Sequence, residues 1–175
     1  NEIDGRLESR VSRGSNTSEF LRGNFTNATH LDTVYTTANP QLQKHIKSIG
    51  VEFHELLNVW NTDRWDAKRG TVVPPEMTAA CLESLETYPH KRHVFHYLQP
   101  HYPFVDAPEM QFTSWGSTDE MHISARDHLP THVWSALSKG VVDHEDVWRE
   151  YRKNLEYVME DVWELVEALD GRTVV

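Results

Sequence analysis

Between Asp143 and Leu169, apolar side chains return at three- and four-residue steps: Val147, Tyr151, Leu155, Val158, Val162, Leu165, Val166 and Leu169. That period predicts one long amphipathic helix whose stripe must be covered by another element. Asp143 and Asp146 supply the acidic start and Asp170-Gly171 the stop. Trp148 and Trp163 flank the stripe and are expected to pack. After the glycine, Arg172 to Val175 begins a β-branched run. A helix, a glycine turn and a valine-rich run make half of a βαβ unit, so a parallel sheet is the expected partner of the helix. On this reading the chain stops inside a strand, and residues 1–175 are one truncated domain.

Two upstream segments fit the same sheet. Asp32 to Ala38 (DTVYTTA) and His93 to Leu98 (HVFHYL) are short, β-branched or aromatic, and closed by Asn or Pro. Pro40 to Ile49 and Pro75 to Leu85 read as helices with proline in the first turn. The resulting order predicts an α/β fold with a mostly parallel sheet flanked by helices. Asn58 to Pro74, with Trp60, Asn61, Asp63, Trp65 and Gly70, lacks a sustained period and reads as a surface excursion, as does Ala107 to His122.

Composition narrows the function. With 27 acidic residues against 17 basic, the formal charge of −10 repels nucleic acid and anionic lipid. No run approaches the roughly 20 apolar residues of a membrane helix. Eleven Arg to six Lys on an acid-rich chain fits adaptation to concentrated salt. No feature fixes a compartment, and the cytoplasm is the default expectation. Cys81 is the only cysteine, which excludes an intrachain disulfide, and its neighbours Ala79, Ala80 and Leu82 make it inert core.

In an open parallel sheet, ligands bind beyond the carboxyl ends of the strands. There the chain reads Gln99-Pro100-His101-Tyr102-Pro103-Phe104, a histidine fixed between two prolines. His101 either binds or protonates an anionic substrate or simply packs in a rigid turn. His90, His93 and His96 tempt a metal assignment, but in a strand His93 and His96 face opposite sides. His45, His54, His122, His128 and His132 read as solvated. The tryptophans, Trp115 and Trp134 among them, are commoner as packing anchors than as platforms for a sugar or base. Nearer the start, Ser12 to Leu21 places hydroxyls and a glycine ahead of a short helix. A hydroxyl at such an N-terminus can bind a tetrahedral anion or act as a nucleophile. The ordinary alternative is that Asn16 or Thr17 caps the helix.

Three stretches together resemble the sulfatase-like branch of the alkaline phosphatase superfamily, and especially the sulfatase-like proteins of salt-adapted microbes. Ser12 to Phe25 (SRGSNTSEFLRGNF) is similar to the nucleophile segment, Asp32 to Pro40 (DTVYTTANP) to the next core strand, and Val94 to Phe104 (VFHYLQPHYPF) to the strand and His-x-Pro turn. The resemblance implies part of an alkaline-phosphatase-like three-layer fold and a metal-dependent hydrolase or transferase acting on a small-molecule or glycan sulfate or phosphate ester. It implies Thr17 as nucleophile and as a ligand of a divalent metal (Ca, Mg, Mn or Zn), the other ligands lying outside this chain. It implies His101 at the sulfate or phosphate group, with Gln99 and Asn16 beside the substrate. No Cys-x-Pro-x-Arg motif is present, so no formylglycine is expected. The piece alone is expected to be inactive. The rival reading is a sulfatase-fold binding or assembly module without catalysis.

Overall fold

The computed structural model describes residues 5–112 and 132–175. Helix α1 (Thr17–Phe25) leads into strand β1 (Thr29–Thr37), helix α2 (Gln41–Ile49) and strand β2 (Glu52–Asn58). A short hairpin, β3 (Trp65–Asp66) and β4 (Thr71–Val72), precedes α3 (Pro74–Thr87) and β5 (Arg92–His96). Two further helices, α4 (Val133–Ser138) and α5 (His144–Glu167), follow. The main sheet has the order β2-β1-β5, with both pairings parallel. This is the expected α/β arrangement. Among the described residues, no helix is long and apolar enough to cross a membrane.

Alternation along β1 sends side chains to two different cores. Tyr35 faces Leu21, Leu42, Ile49 and Phe53, the layer built by α1 and α2. Ala38 faces Met77, Cys81, Leu98 and Leu165, the layer built by α3 and α5. The sheet is thus covered on both faces, as parallel sheets require. α1 and α2 meet at their C-terminal ends, where Asn27 N–H donates to the Ile49 carbonyl at 2.8 Å. Cys81 is fully buried, and desolvation pushes its thiol up to about 12.

Several expectations are corrected. Arg172 to Val175 forms no strand, and Val174 and Val175 are 85% and 76% exposed. β-branched residues suit a pleated surface but form one only where a neighbouring ladder accepts their backbone, and no described strand pairs with them. The excursion from residue 58 to 74 contains a 3-10 turn at Val59–Asn61 and the β3–β4 hairpin, and it follows a strand, β2, that the sequence conceals. Along α5 the buried positions are Val147, Glu150, Asn154, Val158, Asp161 and Leu165, so Asn154 lies inside while Leu155 is 40% exposed. Trp148 is 54% exposed and stacks on Tyr151 at 5.5 Å rather than entering the core. Past a 3-10 turn at Pro108–Met110 and residues 111–112, the rest of the second excursion, with Trp115 and His122, lies outside the described residues, as does His128.

Candidate functional site at the carboxyl ends of β1 and β5

The chain leaving β1 enters α2 on one face of the sheet, and the chain leaving β5 runs to α5 on the other. Adjacent strands whose connections part to opposite faces open a crevice at their carboxyl ends, the usual ligand position in such sheets. The chain at the end of β1 is Thr37-Ala38-Asn39. Its residues are buried and satisfied: Thr37 Oγ1 accepts from Asn39 N–H at 2.9 Å, and Asn39 Oδ1 accepts from Gln41 N–H at 2.9 Å, at the start of α2. The chain that follows β5 forms the turn Gln99 to Val105.

Two proline peptides, Gln99-Pro100 and Tyr102-Pro103, are cis and bracket His101. Tyr102, Phe104 and Ala107 pack with Met110, Val133 and Val147 in a small core that anchors the turn against α4 and α5. Asn154 fixes it further. Its Nδ2 donates to the carbonyls of Pro100 (3.2 Å), His101 (3.2 Å) and Pro103 (3.4 Å), while its Oδ1 accepts from Val105 N–H at 3.2 Å. One buried amide therefore satisfies backbone groups of four turn residues, which a buried loop must do somewhere. His101 itself is exposed at the apex, with Nδ1 bonded to the Tyr102 carbonyl. A carbonyl only accepts, so Nδ1 carries the proton and Nε2 is the nitrogen turned to other partners.

Gln99, 6% exposed, reaches back to the hairpin: its Nε2 donates to Val72 O at 3.1 Å and Thr71 Oγ1 at 3.3 Å. Its Oε1 is buried without a hydrogen-bond partner, as is Nε of Arg69 on the same hairpin. At α1, Asn16 is the N-cap, its Oδ1 accepting from Glu19 N–H at 3.0 Å. Glu19 returns to the Ser15 N–H (2.8 Å) and hydroxyl (2.7 Å), bonds that hold its carboxyl below the usual range. Thr17 is the first helical residue and is half-buried. Gly14 lies against α1 so closely that an added Cβ would meet Phe20 N at 2.3 Å, which keeps the preceding loop tight on the helix.

The structure joins His101 and Gln99 in one turn, and Asn16 and Thr17 in one helix start. No hydrogen bond or ion pair among the described residues links the first pair to the second. Asn154 was not legible as a site residue, and its only signal is a polar side chain set beside an apolar helical stripe. His93 and His96 do face opposite sides: His93 Nδ1 meets Ser84 on α3, while His96 Nδ1 meets Tyr35 OH at 3.0 Å. Among the described residues, no three His, Cys, Asp or Glu side chains converge as a metal site would need, so those residues do not by themselves furnish a donor set. Comparison with protein-family models, with curated proteins and with solved structures finds no match.

Proposed function

We propose that this chain is part of an alkaline-phosphatase-like, sulfatase-like hydrolase or transferase acting on sulfate or phosphate esters. The observation that carries the reading is His101. His101 stands exposed in the turn after β5, at the strand ends where the connections divide, on a turn held by Asn154. In that position Nε2–H of an imidazolium meets the ester's anionic oxygens or protonates the departing oxygen. Gln99 is the substrate-side amide of this proposal, although its unpartnered Oε1 is buried and its nitrogen is engaged with the hairpin. Thr17 is the nucleophile of this proposal and the one residue here offered to a divalent metal. That metal would acidify the attacking hydroxyl when bound. The acid-rich composition fits a salt-adapted source.

The rival, a binding or assembly module on the same fold, is favoured by one observation: the Asn16 oxygen and the Gln99 amide nitrogen are already engaged within the protein. Hydrolysis of 4-nitrophenyl sulfate and 4-nitrophenyl phosphate, each with Mg, Ca, Mn or Zn, separates the two. Thr17→Ala and His101→Ala should each remove turnover from the complete protein. Turnover unchanged in Thr17→Ala overturns the assignment of the nucleophile, and no turnover with any metal or ester favours the module.

A further inference from the structure

On the α3 side of the sheet, a second group of side chains has a defined order of protons. Ser84, in the last turn of α3, is 2% exposed and accepts from Thr36 Oγ1 on β1 at 3.3 Å. Its hydroxyl also meets His93 Nδ1 on β5 at 3.3 Å. His93 Nε2 in turn meets the carbonyl of Tyr88, the C-cap of α3, at 3.1 Å. A carbonyl can only accept, so the proton of neutral His93 sits on Nε2, and Nδ1 is the bare nitrogen facing Ser84. The order is therefore fixed as Thr36 to Ser84 to His93, with Tyr88 orienting the ring.

A nucleophile, a base within hydrogen-bond reach and a third group that sets the base's tautomer are the parts of an activated serine. Ser84 also lines a cavity of about 300 Å³ between α3 and the β1–β2 edge, together with Leu57, Val59 and Ala80. Arg64 lines the same cavity, with its guanidinium 2.6 Å from Glu83. Asn58, Thr62, Glu83 and Thr87 also line it. The apolar wall beside the Ser84 hydroxyl, with the Arg64 cation balanced by Glu83, suits a small uncharged acyl group whose carbonyl oxygen gains charge on attack. The imidazolium formed at His93 faces the carbonyl end of α3, whose dipole is complementary to a cation.

We infer that Ser84 and His93 form a nucleophilic acyl-transfer site, separate from the His101 turn, for small carboxylic esters with apolar acyl groups. Ser84 Oγ bonds to the ester carbonyl carbon as its proton passes to His93 Nδ1. The alkoxide then leaves and takes that proton. A water, deprotonated by the same nitrogen, releases the carboxylic acid and restores the hydroxyl.

The test uses a short-chain alkyl fluorophosphonate, which loses fluoride as its phosphorus bonds to the attacking oxygen, followed by peptide mass spectrometry of the full chain. Ser84 should carry the adduct. Ser84→Ala should carry none there, and His93→Gln should label about 10²-fold more slowly with its thermal midpoint retained. A burst of one 4-nitrophenolate per chain from 4-nitrophenyl acetate, measured on the unaltered protein, keeps the test independent of variant folding. No adduct and no burst overturn the inference, as does Ser84 labelling at an undiminished rate in folded His93→Gln. An adduct on Thr17 instead supports the sulfate or phosphate ester reading and overturns this one.

Discussion

Asn154 of α5 donates to the His101 carbonyl at 3.2 Å, across a sequence separation of 53 residues. The helix thereby holds the turn through its backbone. Asn154→Ala would strand the buried Pro103 carbonyl and Val105 N–H and two partly buried carbonyls, and should cost about 2–4 kcal/mol in urea unfolding. Asn154→Asp can still accept from Val105 but cannot donate to the carbonyls. It should be at least as damaging at neutral pH, and an Asp variant as stable as the native protein would refute the clamp.

His96 lies between the sheet and the α1–α2 layer, hydrogen-bonded to Tyr35 OH, and burial lowers its pKa to about 4. The folded state therefore keeps His96 neutral while the unfolded chain protonates near its ordinary value. Stability from this group is complete above about pH 6.5 and is lost as pH falls toward 4, to the extent of about 3 kcal/mol. His96→Gln, which can still pair with Tyr35, should flatten that part of the pH profile measured by urea unfolding between pH 4 and 7.

Gly50 ends α2 with φ +68°, and a Cβ there would meet Asn27 Oδ1 at 2.8 Å. Gly140 has nearly the same backbone, φ +67°, with nothing within 4 Å. Gly140→Ala should therefore show the left-handed strain alone, about 1 kcal/mol, and Gly50→Ala should exceed it. Equal thermal shifts in the two variants would mean that Asn27 yields without cost.

Cys81 combines full burial with a thiol raised to about 12 by desolvation. A disulfide reagent such as DTNB should react with it only after denaturation, the thiolate being the reactive form. Fast stoichiometric reaction of the native protein would show that the α3–α5 layer opens readily.

The strands and helices with strong local marks were legible: β1 and β5 from β-branched runs, α2 and α3 from their prolines, α5 from its period. β2 was hidden for a physical reason. Its pairing with β1 is irregular between His30 and Val34, so Phe53 and Leu56 both reach the α1–α2 core and the simple alternation is broken. The β3–β4 hairpin is too short to show a period. In the candidate site, the prolines around His101 advertised a rigid turn, but the clamp on it is a contact distant in sequence, carried by one asparagine where periodicity favoured Leu155 as the buried neighbour. Arg172 to Val175 erred in the other direction, with strand-forming residues but no ladder to join.

α5 carries 24 residues, about 36 Å of rod. Val147 near one end sits in the core beneath the His101 turn, and Leu165 near the other sits with Met77 and Cys81 of α3. The helix consequently acts as a gauge, setting the angular phase between the turn and the α3 layer. One residue inserted between Asn154 and Leu165 would advance everything beyond it by about 100°. The two ends could then no longer both be seated, and the turn would lose its alignment although none of its own residues had changed.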